Sequence, residues 1–213
     1  MARAQRRPSL TRPRQDRRRP PGKLIAIDGV NGAAVKVAAN HEIAAVKRGQ
    51  RGGVSKWDAS GVFDDLVVAG EEAGEPSART LVLLYAADLA FRLRWEIRPA
   101  LAEGRVVAAA PYVATAIAFG RAAGLPGGWL KNLFSFAARP DEARHVDAAP
   151  PRGGGLAGFI EFGCERLSAG GHALTRNQLT DRARRHLQRT FLTRVGPHPH
   201  ALTRSRRKPL ARI

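Results

Sequence analysis

Leu24 to Ile27 is a short, uninterrupted apolar run closed by Asp28-Gly29, the pattern of a central strand. Ala33 to Val46 follows, rich in alanine and free of proline, and suits a helix. Arg51-Gly52-Gly53 reads as a breaker, and Ser60 to Val68 as a short helix. The strongest helical pattern runs from Ser77 to Leu101. Ser77 can cap its start, and Leu81, Leu84, Tyr85, Asp88, Phe91 and Trp95 recur at intervals of three and four. Pro99 is expected to kink or end it. Arg105 to Ala110 reads as a second buried strand with Pro111-Tyr112 at its end, and an alanine-rich helix continues to about Ala123. Gly124-Leu-Pro-Gly-Gly128 breaks that helix, Trp129 to Phe136 is predicted helical, and Arg144 to Ala148 is a third short strand. Beyond it, Phe159 to Ser168 reads as a short helix and Thr180 to Thr193 as a basic one, with Leu187 and Leu192 as its buried contacts.

Strands alternating with helices predict an α/β fold with a mostly parallel sheet. Ligands in such sheets bind beyond the carboxyl ends of the strands, where Asp28 to Lys36 and Ala110 to Thr115 fall. Residues 1–22 lack periodicity and large hydrophobes and are expected to be a disordered basic extension. Residues 149–158 are expected to form a flexible loop, and 196–213 a disordered basic tail. The folded domain is thus expected to span residues 23–195.

Charge sharpens that division. The 213 residues carry a formal net charge of +18, with thirty Arg against six Lys. Residues 1–23 hold nine basic residues and one acid, and residues 176–213 hold eleven against Asp181 alone. Residues 24–175 are neutral, with sixteen of each sign. The ends, with Arg17, Arg18, Arg19, Arg206, Arg207 and Lys208, could contact nucleic acid or another polyanion through phosphates. Almost no aromatic residues are interleaved there, so base stacking is not expected. A single cysteine, Cys164, excludes an intramolecular disulfide and fits a reducing cytoplasm, where it is read as a half-buried structural thiol. No apolar run approaches the roughly 20 residues of a membrane span.

The candidate chemistry lies in the loop after the first strand. A phosphate-binding loop needs glycines for close backbone approach, N–H groups facing the phosphates, a lysine and a hydroxyl for magnesium. Asp28-Gly29-Val30-Asn31-Gly32 supplies the frame, but Ala34, Val35 and Lys36 stand where glycine, lysine and hydroxyl are needed. Lys36 lies one position late, which on a helix turns it by about 100°.

Further along come Leu83-Leu-Tyr-Ala-Ala-Asp-Leu-Ala-Phe91, Ile97-Arg-Pro-Ala-Leu101 with Gly104, and Pro111-Tyr-Val-Ala-Thr-Ala-Ile-Ala-Phe119. With the loop, with Arg139-Pro140-Asp141 and with Val146-Asp147-Ala-Ala-Pro150, their order and spacing resemble the thymidylate kinase family over roughly residues 24–151. The resemblance implies a P-loop nucleoside-monophosphate-kinase-like three-layer fold. It implies a nucleotide site at Asp28, Gly29, Asn31, Gly32 and Lys36, an acceptor site at Asp88, Tyr112 and Thr115, and a homodimer. Gly52-Gly53 echoes the family's Gly-Gly-Thr segment, with Val54 in place of the threonine.

Carried over residue by residue, the resemblance favours scaffold over chemistry. The loop lysine corresponds to Val35, the loop hydroxyl to Lys36, the Asp-Arg pair before the tyrosine to Ala110 and Pro111, and the arginine of Ala-Asp-Arg to Leu89. Phosphoryl transfer depends on such charges for positioning and stabilisation. The expectation is a degenerate, pseudokinase-like member with weak or no nucleotide binding. ATP and magnesium serve as cofactors only if kinase activity remains, with relocated cations such as Lys36, Arg92, Arg121 or Arg152. A sequence-independent nucleic-acid binder working through the arginine-rich ends is the alternative of another class. No metal-ligand set is predicted: His198-Pro-His200 has no further ligands, and Asp64-Asp65 and Glu71-Glu72 read as solvated surface.

Overall fold

The structure, a computed structural model, describes residues 21–147 and 158–192. The expected features at residues 1–20, most of 149–158, Arg152, His198, His200 and the tail lie outside the described residues. Four parallel strands form one sheet in the order β2-β3-β1-β4. They are β1 (Lys23–Gly29), β2 (Gly52–Lys56), β3 (Val106–Ala110) and β4 (Glu142–Val146).

The apolar run of β1 alternates between two faces. Ile25 and Ile27 point to one side with Val106, Ala108 and Ala110 of β3, where helix α1 (Gly32–Ala44) covers them with Val35 and Ala39. Leu24, Ala26, Val107 and Ala109 point to the other side. There they meet the larger core built with α3 (Ala78–Arg92), α5 (Val113–Ala122), α7 (Phe159–Ala169) and α8 (Arg176–Leu192). Burial on both faces is why β1 and β3 read as unbroken apolar runs rather than alternating ones. The remaining helices are α2 (Val62–Ala73), α4 (Arg98–Ala102) and α6 (Gly127–Leu133).

Three expectations need correction. Gly52-Gly53 does not break the chain but opens the edge strand β2, whose residues pair Gly52 to Val106 through Lys56 to Ala110. Its main chain supplies the pairing, and a Cβ at Gly52 would press within 3.1–3.3 Å of Ile43 and Val46. Pro99 does not stop the long helix. A π-helical stretch, Leu93–Ile97, follows α3 and hands over to α4, absorbing the missing proline donor in a wider turn. In α8 the buried residues are Leu179, Ala183 and Leu187, whereas Leu192 is 72% exposed at the last described position. Among the described residues no helix is long and apolar enough to cross a membrane.

Candidate functional site

The strand order reverses between β1 and β3, and their carboxyl ends open a crevice there. Asp28 and Gly29 end β1, and Asn31 caps α1 in extended geometry (φ −105°, ψ 111°). Its Oδ1 accepts from the Ala34 N–H at 2.8 Å, and its carbonyl accepts from the Val35 N–H at 3.0 Å. The Gly32 N–H donates to Oε2 of Glu161, 3.0 Å away in the first turn of α7. Two of the orphan amides that could face a phosphate, those of Gly32 and Ala34, are thus engaged by side chains of the protein, while Val35 makes the first ordinary helix bond. Burial pushes the Glu161 carboxyl above its ordinary range, opposed by the Gly32 N–H and the charge of Arg176.

Asp28 is 2% exposed and faces the other way, toward α5. Its Oδ1 accepts from the Tyr112 N–H (3.0 Å), the Thr115 N–H (2.9 Å) and the Thr115 hydroxyl (2.7 Å). A carboxylate on the first amides of a helix satisfies orphan donors and meets the positive end of the helix dipole. The Thr115 oxygen also accepts from the Gly29 N–H at 3.2 Å. The Tyr112 hydroxyl donates to the Ala138 carbonyl at 2.7 Å, and burial raises its pKa to about 12. A Cβ at Gly29 would stand 2.7 Å from the Val146 carbonyl, which explains glycine there. The structure therefore brings Asp28, Gly29, Tyr112 and Thr115 into one network, with Asn31 and Gly32 beside it.

Asp88 lies apart from that network and is fully buried. It accepts from the Asp58 N–H, the Ser60 N–H and the Ser60 hydroxyl at 3.0–3.1 Å, holding the turn after β2. Arg92 is also fully buried, with Nε 3.0 Å from Asp88 Oδ2, off the line of a directed hydrogen bond. Its other nitrogens donate to the Pro111 carbonyl (3.1 Å) and the Tyr85 hydroxyl (3.2 Å). Arg92 thus braces the end of β3 from beneath instead of facing a ligand. Arg121 sits near the far end of α5, its guanidinium against Gly127 at the start of α6. It also helps hold down the pKa of His186 in α8, after burial. Of the relocated cations among the described residues, Lys36 alone faces the crevice.

A cleft of about 280 Å³ opens there, lined among others by Val35, Lys36, Val54, Lys56, Trp57 and Pro111. Lys56, Trp57 and Glu161 are the residues that sequence reasoning missed. Lys56 ends a strand read as a breaker, and Glu161 reaches the loop from 129 residues away.

Val35 packs at 2% exposure among Ile25, Ile27 and Val106, Lys36 replaces the metal-binding hydroxyl, and the nearby carboxylates Asp28 and Glu161 are engaged with backbone amides. Among the described residues no three His, Cys, Asp or Glu side chains form a group able to hold a metal ion. Cys164 is fully buried rather than half-buried, and burial raises its thiol pKa to about 11, so it stays protonated and inert.

No family model matches the chain. The thymidylate kinase of Xanthomonas campestris pv. campestris (strain B100) is 33% identical over 135 residues, 63% of this chain and 60% of that protein. Over that stretch the chain is similar to thymidylate kinases. A probable thymidylate kinase of Pyrococcus horikoshii is 29% identical over 136 residues, 59% of this chain and 65% of that one. The chain thus spans about 60% of the length of the Xanthomonas relative. The crystal structure of the Ehrlichia chaffeensis thymidylate kinase superposes with a TM-score of 0.56 at 12% identity, covering 82% of this chain and 83% of that one. That likeness shows the thymidylate kinase fold, with its parallel sheet flanked by helices.

Proposed function

We propose that this chain is a catalytically degenerate thymidylate-kinase-like protein, with nucleotide affinity weak or lost. The observation that carries the reading is at the loop. Val35, in the place of the phosphate lysine, is a core residue, and the amides of Gly32 and Ala34 are closed by the side chains of Glu161 and Asn31. Ala110, Pro111 and buried Leu89 stand at three further positions where the family resemblance calls for charge. Removing one such group commonly costs about 10²–10³ in rate, and the cations lining the crevice, Lys36 and Lys56, stand at other positions than the residues replaced. A coupled assay of the full chain with ATP, magnesium and dTMP is therefore expected to give turnover orders of magnitude below about 1 s⁻¹, the low end for kinases. Turnover in the kinase range would overturn the reading.

A homodimer is part of the same proposal. On α3 and the turn after it, Leu83, Phe91 and Trp95 are 45%, 39% and 65% exposed, large apolar side chains along the solvent-facing side of the helix. Sedimentation velocity is expected to show a dimer that Trp95→Glu weakens. A monomer at all accessible concentrations would remove this part.

A further inference from the structure

Helix α8 gathers arginines on its outer face, none of which lines the crevice. Its apolar residues Leu179, Ala183 and Leu187 point into the core. At about 100° per residue, Arg182, Arg185 and Arg189 fall within an arc of about 60° turned away from them, and all three are exposed. Asp181, the one acid of the helix, lies on the flank of that arc and pairs with Arg184 at 2.8 Å. Arg184 also reaches Asp147, just past β4, at 3.6 Å. Both acids are thus taken up by Arg184, and among the described residues no carboxylate pairs with Arg182 or Arg185. Exposed Arg121, in the last turn of α5, joins the same face. With Arg189, Arg185 and Arg182 it holds the half-buried His186 imidazole below its ordinary range, after burial itself.

We propose that the face formed by Arg121, Arg182, Arg185 and Arg189 binds the phosphate backbone of double-stranded nucleic acid without reading its sequence. The inference stands apart from the degenerate-kinase reading, and it places the contact on a folded helix rather than on the chain ends alone. Like charges three and four residues apart on one helix repel, and a polyanion relieves that repulsion by neutralising them. Arginine's planar fork suits phosphate oxygens better than a point charge does. Arg182 and Arg189 lie about 10 Å apart along the helix axis, a span over which one strand of a duplex presents about three phosphates. Phe191, the aromatic residue of α8, is stacked on His145 with ring centroids 5.1 Å apart, so it is not offered to unpaired bases. A duplex is therefore favoured over a single strand, which binds largely by stacking. A lipid surface is disfavoured because Leu179, Ala183 and Leu187 are already buried, leaving Leu192 as the exposed apolar side chain of the helix. Beyond α8 the sequence continues the positive run with Arg194, Arg204, Arg206, Arg207, Lys208 and Arg212 and no acid.

The test is fluorescence anisotropy of the full chain with short DNA and RNA duplexes of mixed sequence across a salt series. Both duplexes are expected to bind. In the double variant Arg182→Gln/Arg185→Gln, the slope of log affinity against log salt for DNA should shrink by about 1.8, and affinity at low salt should fall about tenfold or more. Arg182→Lys/Arg185→Lys should restore most of the slope, which a folding defect would not allow. The charge-matched control is Lys47→Gln/Arg48→Gln, at exposed cations just past α1 on the other face of the sheet, and it should bind like the unaltered chain. Absence of duplex binding, an unchanged slope in the glutamine variant, an equal loss in the control or no rescue by lysine would each overturn the proposal. Binding to phosphatidylserine vesicles that the glutamine variant loses, with its duplex binding intact, would assign the face to lipid and overturn it too.

Discussion

Asp88→Ala is expected to destabilise the protein by about 3–5 kcal/mol, the loss typical when one partner of a buried ion pair is removed. Both side chains are fully buried, so screening by solvent does not soften the effect. The substitution leaves the Arg92 cation inside the core, with only the Pro111 carbonyl and the Tyr85 hydroxyl as partners. It also strips the Asp58 and Ser60 amides of their acceptor. In a melting experiment the midpoint should fall by about 6–20 °C, at roughly 2–4 °C per kcal/mol for a domain of this size. Arg92→Met should cost less, because Asp88 keeps three donors from Asp58 and Ser60. The double variant should recover part of the loss, since no uncompensated charge remains. A decrease below about 1 kcal/mol for Asp88→Ala, as for a surface pair, would show that this pair does not hold the core.

The second large effect is at Asp28. Its carboxylate takes three donors from Tyr112 and Thr115 at the start of α5. Asp28→Ala orphans two buried backbone N–H groups, each costing about 1–3 kcal/mol, so a total near 3 kcal/mol is expected. Asp28→Asn keeps an acceptor oxygen and should lose about 1 kcal/mol, with the charge at the helix start accounting for most of it. Hydrogen exchange gives the local readout: the Tyr112 and Thr115 amides should lose protection in Asp28→Ala ahead of those in α1. Equal protection in the two proteins would mean that Asp28 does not secure α5. Together these substitutions distinguish a residue that holds the fold from one that holds a nucleotide, since both losses are expected without any ligand.

Much of the fold is legible in the chain. β1, β3 and the capped helix at Ser77 follow from apolar runs, period and capping residues, because local chemistry and burial agree there. β2 is illegible, since Gly52-Gly53-Val54-Ser55-Lys56 has neither an apolar run nor alternation, and it becomes a strand only by pairing with β3. The π-helical turn before Pro99 is equally hidden, because it is a response to packing rather than a propensity of particular residues. At the site, the loop frame and its missing charges could be read directly from residues 28–36. The engagement of Asp28 by α5, of Gly32 by Glu161 and of Arg92 by Asp88 could not, because a carboxylate or guanidinium has the same identity whether it faces a ligand or a helix end.

By itself, then, the sequence determined the α/β class, the phosphate-loop frame at Asp28 to Gly32 and the loss of the lysine at Val35, all of which depend on residue type and near spacing. Only the tertiary structure decided which remaining charges can meet a ligand. Arg92 and Arg121 leave the crevice while Lys56 enters it, because β2 lies beside β3 and brings a residue twenty positions from Lys36 to the same cleft. Charge in a sequence has no direction until the chain is packed, and packing sets both the partners of each charge and its cost of burial.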